Sequence, residues 1–168
     1  NNAMSRDQTV FVDDDGRATV KTSEQGYLEV YFANKKNSKC VILYPGGGYA
    51  VHHAGGIASI IEDFRGSDVT LIVDYFTLPN KGLLRDRSLE DANAALDLAW
   101  KNKALWGGYE KVGLIGNSAG GHLAGYIGQT RHDDVDFQIL IYPVVTLAPG
   151  KTHEGTLLYW LGSDPSQE

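Results

Sequence analysis

Apolar residues along this chain follow two rhythms. Over the first 32 residues they form short β-like pieces, at 9–12 and 28–32, on either side of the turn-rich Asp13-Asp14-Asp15-Gly16, which predicts an antiparallel lead-in. From about Lys39 the rhythm changes. Apolar runs at 40–44, 69–73 and 112–115 are separated by segments of helical character, and a fourth run at 137–142 follows another such segment. A near-continuous run such as Gln138-Ile139-Leu140-Ile141 suits a strand of a parallel sheet covered by helices on both faces, so the predicted fold class is α/β.

Two helices can be placed. Ser88-Leu89-Glu90-Asp91 offers a capping start, after which Ala92, Ala95, Leu96 and Ala99 form one apolar stripe. A second is predicted over 121–129, with Leu123 and Ile127 facing inward. Gly120, Gly121, Gly125 and Gly128 each cost about 1 kcal/mol against alanine in a helix interior, so this helix must pack closely on the sheet to offset them. No repeat, low-complexity tract or interdomain linker is evident, and residues 1–168 read as a single domain. Asn1-Asn2-Ala3 ahead of Met4 resembles a leftover of an expression tag.

With 42% hydrophobic residues, 168 residues can bury a real core. A formal net charge of -6 gives no electrostatic reason to expect nucleic acid or anionic membrane as a partner. No stretch approaches the ~20 apolar residues of a membrane span, and no apolar signal region follows the N-terminus. The lone cysteine, Cys40, cannot form an internal disulfide; it fits a reducing compartment, and a cytoplasmic location is expected. Its expected place is buried at a strand start, as a small hydrophobe.

The chemistry is carried by two glycine-containing runs. Gly116-Asn117-Ser118-Ala119-Gly120 lies directly between an apolar strand and a helix, the context that a nucleophile elbow requires. There a serine on a strained turn exposes its Oγ, and the next backbone N–H, that of Ala119, helps to hold a developing oxyanion. Upstream, Tyr44-Pro45-Gly46-Gly47-Gly48-Tyr49 follows the strand-like Val41-Ile42-Leu43. It lacks the lysine and spacing of a phosphate loop, and glycines there can bring backbone N–H groups close to a reacting carbonyl.

Together with Val73-Asp74-Tyr75, Leu89-Glu90-Asp91-Ala92, the continuation Gly121-His122-Leu123-Ala124 and Tyr142-Pro143-Val144-Val145, these runs resemble the α/β-hydrolase esterases and lipases. The nearest likeness is to small bacterial acetylesterases and acetyl-xylan-esterase-like carboxylesterases, and it extends from about Lys39 onward. The resemblance implies a three-layer sandwich with a mostly parallel sheet, Ser118 as nucleophile, and Gly47, Gly48 and Ala119 as oxyanion donors. It implies no metal or organic cofactor, and a structural role for His122. Pro45 stands where many of these lipases carry a histidine.

In this fold the acid and base follow the nucleophile on loops after two further strands, and neither is evident here. His52 and His53 follow the glycine loop, where a solvated loop is expected, with a pocket-lining role as the alternative. His132, Asp133, Asp134 and Asp136 precede a strand at the end away from the site. His153, Glu154 and Asp164 lie in the right region for a base or acid but match no motif, and Asp74 is expected to fix local turns. Trp100, Trp106 and Trp160 are expected to be packing residues.

The sequence therefore reads as the N-terminal two-thirds of a hydrolase, with residues 137–142 as an exposed sheet edge and a homo-oligomer or complementing C-terminal segment as candidate partner. Without its base such a fragment should keep only the residual help of an oxyanion hole, on the order of 10³–10⁴ over water. The expected activity of the intact enzyme is hydrolysis of small acyl, acetyl-type esters through an acyl-enzyme. An amidase, peptidase or arylformamidase of the same fold, or a non-catalytic binding module, are the alternatives.

Overall fold

The computed structural model describes residues 9–12, 17–21, 26–34 and 39–163. Strands β1 (Thr9–Val12), β2 (Arg17–Lys21) and β3 (Tyr27–Tyr31) form an antiparallel lead-in. The alternation anticipated β1 and β3 but not β2, and the acidic turn at 13–16 lies outside the described residues. There follow β4 (Lys39–Tyr44), α1 (Ala54–Phe64), β5 (Val69–Tyr75), α2 (Arg85–Asn102), β6 (Val112–Asn117), α3 (Ala119–Thr130), β7 (Phe137–Ile141) and α4 (Glu154–Leu161).

The seven strands make one sheet in the order β1-β2-β3-β5-β4-β6-β7, with β5, β4, β6 and β7 mutually parallel and β3 antiparallel to β5. Strand pleating sends alternate residues to opposite faces. Cys40, Ile42, Ile72 and Leu114 point into a core shared with Ala92, Leu96, Leu123, Ile127 and Trp160 of α2, α3 and α4. Val41, Leu43, Leu71, Val73 and Ile115 point the other way, onto Ile57 and Ile60 of α1. Cys40 is buried at the start of β4, and burial pushes its thiol up to about 12.

Burial on both faces explains the continuous apolar character of β4, β5 and β6, but β7 departs from that expectation. Ile139 and Leu140 are 40% and 42% exposed, because β7 is the edge strand and α1 reaches only the inner strands. All three tryptophans pack. Trp106 and Trp160 are buried, and Trp100 lies on the core with its Nε1 donating to the Asp134 carbonyl at 2.9 Å.

The polar start expected for α2 does a different job. The helix begins at Arg85, one turn earlier, and Leu84 at its N-cap makes no side-chain cap. Ser88 is buried inside the helix and donates its hydroxyl to the Thr77 carbonyl at 2.5 Å, while Asp91 Oδ2 accepts from the Thr77 amide at 2.9 Å and its hydroxyl at 2.6 Å. These residues lash α2 to the turn after β5. Asp91, rather than Asp74, fixes that turn.

Asp74 itself sits in β5 with 1% exposure, and its Oδ2 has no hydrogen-bond partner among the described residues. Burial, and then the nearby Asp91 charge, hold its carboxyl well above the usual 3.8. The folded protein therefore keeps a proton that the unfolded chain releases above about pH 4. Stability should fall as pH rises from there, by about 1.4 kcal/mol per pH unit until Asp74 ionises in the fold. Asp74→Asn, neutral at every pH, should gain on the parent between pH 5 and pH 8 in urea unfolding; parallel pH curves would show that Asp74 carries no such proton.

Candidate active site

The parallel strands end at one edge of the sheet, and the two glycine runs meet there. Ser118 follows β6 directly, with φ 53° and ψ -119°, a conformation that a side chain rarely adopts. Its amide donates to the Ile141 carbonyl at 3.0 Å, and its own carbonyl accepts from the His122 and Val144 amides, each at 3.1 Å. The glycines of the motif are demanded by close approach. A Cβ on Gly116 would stand 2.2 Å from the Gly120 carbonyl oxygen, and one on Gly120 would stand 2.0 Å from that of Tyr44. Helix α3 starts at once, at Ala119, two residues earlier than its periodicity suggests. Gly121 and Gly128 also make the close contacts that the sequence requires of this helix, against Pro143 and Gln138, whereas Gly125 has only an ordinary contact with Leu140.

The second bend leaves β4 at Tyr44. The Gly46 amide donates to Asn117 Oδ1 at 3.1 Å, which binds the residue before Gly47 to the residue before Ser118. Gly47 has φ 137° and Gly48 φ 62°, and the Ala50 and Val51 amides both return to the Gly47 carbonyl. Among the described residues the amides of Gly47, Gly48 and Ala119 donate to no backbone carbonyl outside a helix or strand. Ser118 is half-buried. The result is a serine at a strained turn beside a glycine loop whose amides remain available.

Tyr49 continues the loop and is also left-handed, at φ 62°. It is fully buried and held from two sides: its hydroxyl meets His122 Nδ1 at 2.7 Å, and its ring stacks on Trp160 at 4.4 Å. Burial draws the His122 imidazole down to about 4, so it is neutral and supports Tyr49 from α3. Nothing in the spacing of the sequence pairs Tyr49 with His122, or Asn117 with Gly46. Those contacts exist only once the strands are side by side.

The other histidines divide by position. His52 is not in a solvated loop: its Nε2 meets the Phe76 carbonyl at 2.8 Å, its Nδ1 is buried with no partner among the described residues, and burial lowers its pKa below 6.5. It lines a pocket, the alternative left open by the sequence. His53 caps α1, its Nδ1 accepting from the Gly56 amide at 3.1 Å. His132 is exposed, 3.4 Å from Asp133, while Asp134 pairs with Arg131 and Asp136 accepts from the Val112 amide, so that cluster caps strand and helix ends.

His153 caps α4 through Nδ1, yet its ring edge lies 3.8 Å from where a Cβ on Gly48 would stand. Glu154 opens α4 and is exposed; Asp164 lies outside the described residues. Among the described residues no histidine hydrogen-bonds to Ser118 Oγ, no cluster of histidine, cysteine or acidic residues could hold a metal ion, and no helix is long and apolar enough to cross a membrane.

Known proteins share this arrangement of strands. Residues 41–160 match the family described as having an alpha/beta hydrolase fold. An acetylxylan esterase of Xylanibacter ruminicola is 24% identical over 167 residues, spanning 93% of this chain and 31% of its own length. The crystal structure of an acetyl ester-xyloside bifunctional hydrolase from Caldicellulosiruptor lactoaceticus is 26% identical with a TM-score of 0.69, over 83% of this chain and 56% of that one. An esterase from Pyrobaculum calidifontis, 20% identical with a TM-score of 0.67, covers 99% of this chain and 59% of its own and attests the fold alone. The chain thus spans under a third of the curated relative and somewhat over half of the two solved structures.

The tie between the bends can be broken selectively. Asn117→Ala leaves the Gly46 amide without its acceptor in a buried place and should cost about 1–3 kcal/mol in urea unfolding. Tyr142→Phe removes only the 3.3 Å contact from Asn117 Nδ2 to an exposed hydroxyl and should change stability by less than about 0.5 kcal/mol. Equal losses in the two variants would show that the Gly46 bond does not hold the bends together.

Proposed function

This chain belongs to the α/β-hydrolase-fold family, and on that premise we propose that it works as a serine esterase on small acyl esters, acetyl esters foremost. The observation that carries the reading is the left-handed turn at Ser118, bound through Asn117 to the loop that bears Gly47 and Gly48. The names of the Xylanibacter and Caldicellulosiruptor relatives, an acetylxylan esterase and an acetyl ester-xyloside bifunctional hydrolase, support it.

In this reading Ser118 Oγ attacks the ester carbonyl carbon while a base takes its proton. The carbonyl π pair moves onto oxygen, and the amides of Gly47, Gly48 and Ala119 hold the oxyanion that results. The tetrahedral intermediate collapses by breaking the bond to the alcohol, which leaves with the proton, and the acyl group stays on Ser118 as an ester. Water then repeats the sequence and frees the acid.

The steps so written call for no metal or organic cofactor. Among the described residues no histidine ring bonds to Ser118 Oγ, and the rings of His122 and His53 are committed to Tyr49 and to the cap of α1. In this reading the base and its orienting acid are supplied by a further segment or a partner chain, and this chain alone should turn over slowly.

The test pairs a variant with a choice of substrates. Ser118→Ala, made in a form of the protein that hydrolyses p-nitrophenyl acetate, should lower kcat/KM by on the order of 10⁴-fold or more. Undiminished turnover would remove Ser118 from the mechanism. Esters should be preferred over the matching anilide and formanilide; the reverse order would make the protein an amidase or formamidase. A fluorophosphonate that labels the active form but not the Ser118→Ala variant would separate an enzyme from a binding module of the same fold.

A further inference from the structure

A pocket of about 680 Å³ opens at the carboxyl ends of the parallel strands, between the turn after β5 and α4. Tyr27, Tyr49, His52, Tyr75, Asn80 and Tyr159 line much of it, and no Asp, Glu, Lys or Arg is among its described lining residues. Its one titratable imidazole, His52, is kept neutral by burial, which lowers its pKa below 6.5. The described walls are therefore uncharged, which disfavours a carboxylate or phosphate as occupant, since neither would meet a compensating charge there.

Six of the eleven described lining residues carry aromatic rings. The Tyr27 and Tyr75 rings stack at 4.4 Å and 12°, and His52 stands edge-on to Tyr75 at 5.7 Å. Two of the phenols are already engaged: Tyr75 donates to Glu29 Oε2 at 3.2 Å, and Tyr49 meets His122. In contrast, the Asn80 carboxamide and the Tyr159 hydroxyl have no hydrogen bond among the described residues, so both are open to a ligand. Asn80 is held at φ 50°, in a turn whose next residues, Lys81 and Gly82, are also left-handed, and the Gly82 amide is fastened to the Tyr159 carbonyl at 3.0 Å. Both polar groups thus stand on one braced rim.

Tyr49 and Ala50, on its wall, directly follow Gly47 and Gly48, so the pocket begins where the glycine loop ends. A volume of this size falls within the ~300–1,000 Å³ of small-molecule sites and far exceeds what an acetyl group fills. We propose that this pocket receives the alcohol half of the ester and selects an uncharged, ring-bearing alcohol, with Asn80 and Tyr159 contacting its hydroxyl groups. The proposal rests on the esterase reading for the word alcohol; the preference for a neutral ring rests on the pocket alone.

Binding can be read without turnover on this chain carrying Ser118→Ala. Calorimetric titration with an acetylated methyl glycoside, phenyl acetate, ethyl acetate and an acetylated glycoside bearing a carboxylate separates the ligand classes. The neutral glycoside and phenyl acetate should bind at least about tenfold more tightly than ethyl acetate, and the glycoside more tightly than phenyl acetate. The carboxylate should lose that advantage.

Leu84→Trp, which fills the rim, and Tyr159→Ala, which removes a polar group, should each cost the glycoside about tenfold and leave ethyl acetate unchanged. Thermal melts identify a misfolded variant, and either variant that folds suffices. Equal binding of ring and linear acetates, or of the neutral and carboxylate glycosides, would overturn the proposal, as would full glycoside affinity in a folded variant. Phenyl acetate binding above the glycoside would overturn the roles of Asn80 and Tyr159. Because the readout is binding, lost ring preference defeats this proposal and leaves the serine untouched. Hydrolysis that survives Ser118→Ala would defeat the esterase reading and leave the pocket standing.

Discussion

One hydrogen bond, from the Gly46 amide to Asn117 Oδ1 at 3.1 Å, couples the ends of β4 and β6 beyond the reach of the sheet ladder. The last ladder partners there are Tyr44 and Gly116, and the chain then leaves both strands in tight bends. Two bends with no tie beyond the ladder would each sample many conformations. With Asn117 accepting from Gly46, Gly47 and Gly48 are placed relative to Ser118 by covalent geometry over one or two residues on each side. The short contacts of Gly116 and Gly120 follow from the same closeness: these positions are glycine because a neighbouring backbone occupies the space a side chain would need.

Strain accompanies the tie. Ser118 and Tyr49 each hold a positive φ that costs on the order of 1–3 kcal/mol for a residue with a side chain. Such conformations persist only where the surroundings over-determine them. Ser118 is fixed through its amide and its carbonyl, by Ile141, His122 and Val144. Tyr49 is fixed through its hydroxyl by His122 and through its ring by Trp160, so α3 and α4 both brace the loop. His122 serves both bends, with its amide on Ser118 and its imidazole on Tyr49, and burial keeps that imidazole uncharged.

How far the sequence was legible follows from the range of each interaction. The β4, β5 and β6 runs were readable because burial on both faces leaves only apolar choices, and the helix after Ser118 because Leu123 and Ile127 fall on one turn. The two bends could be found because glycine runs mark places where backbone approaches backbone. What escaped was polar and long-range. Ser88 and Asp91 have the local look of a helix start, yet their partner is Thr77, across a turn. Asp74 looks like a turn residue at a strand end and is a buried acid instead, while His52, in a loop that reads as solvated, is anchored to Phe76. In each case a polar side chain satisfies, or fails to satisfy, a group more than ten residues distant or reached only through the sheet, and no local pattern encodes that.

The supports of Ser118 are unequal. On one side stand β4 and the fully buried residues of β6, whose opening would expose the core. On the other, the Ile141 carbonyl and the Val144 amide belong to an edge strand and the segment after it, where Ile139, Leu140, Tyr142 and Val145 are exposed. Local opening proceeds most easily where buried apolar contact is least. The elbow is therefore held firmly toward the glycine loop and more weakly toward β7, so a loosening of the edge would release the amide of Ser118 and one of the two bonds to its carbonyl before it disturbed Asn117 and Gly46. The geometry of the two bends is thus set on the β4 side, while β7 and the start of α3 together hold the serine in its strained turn.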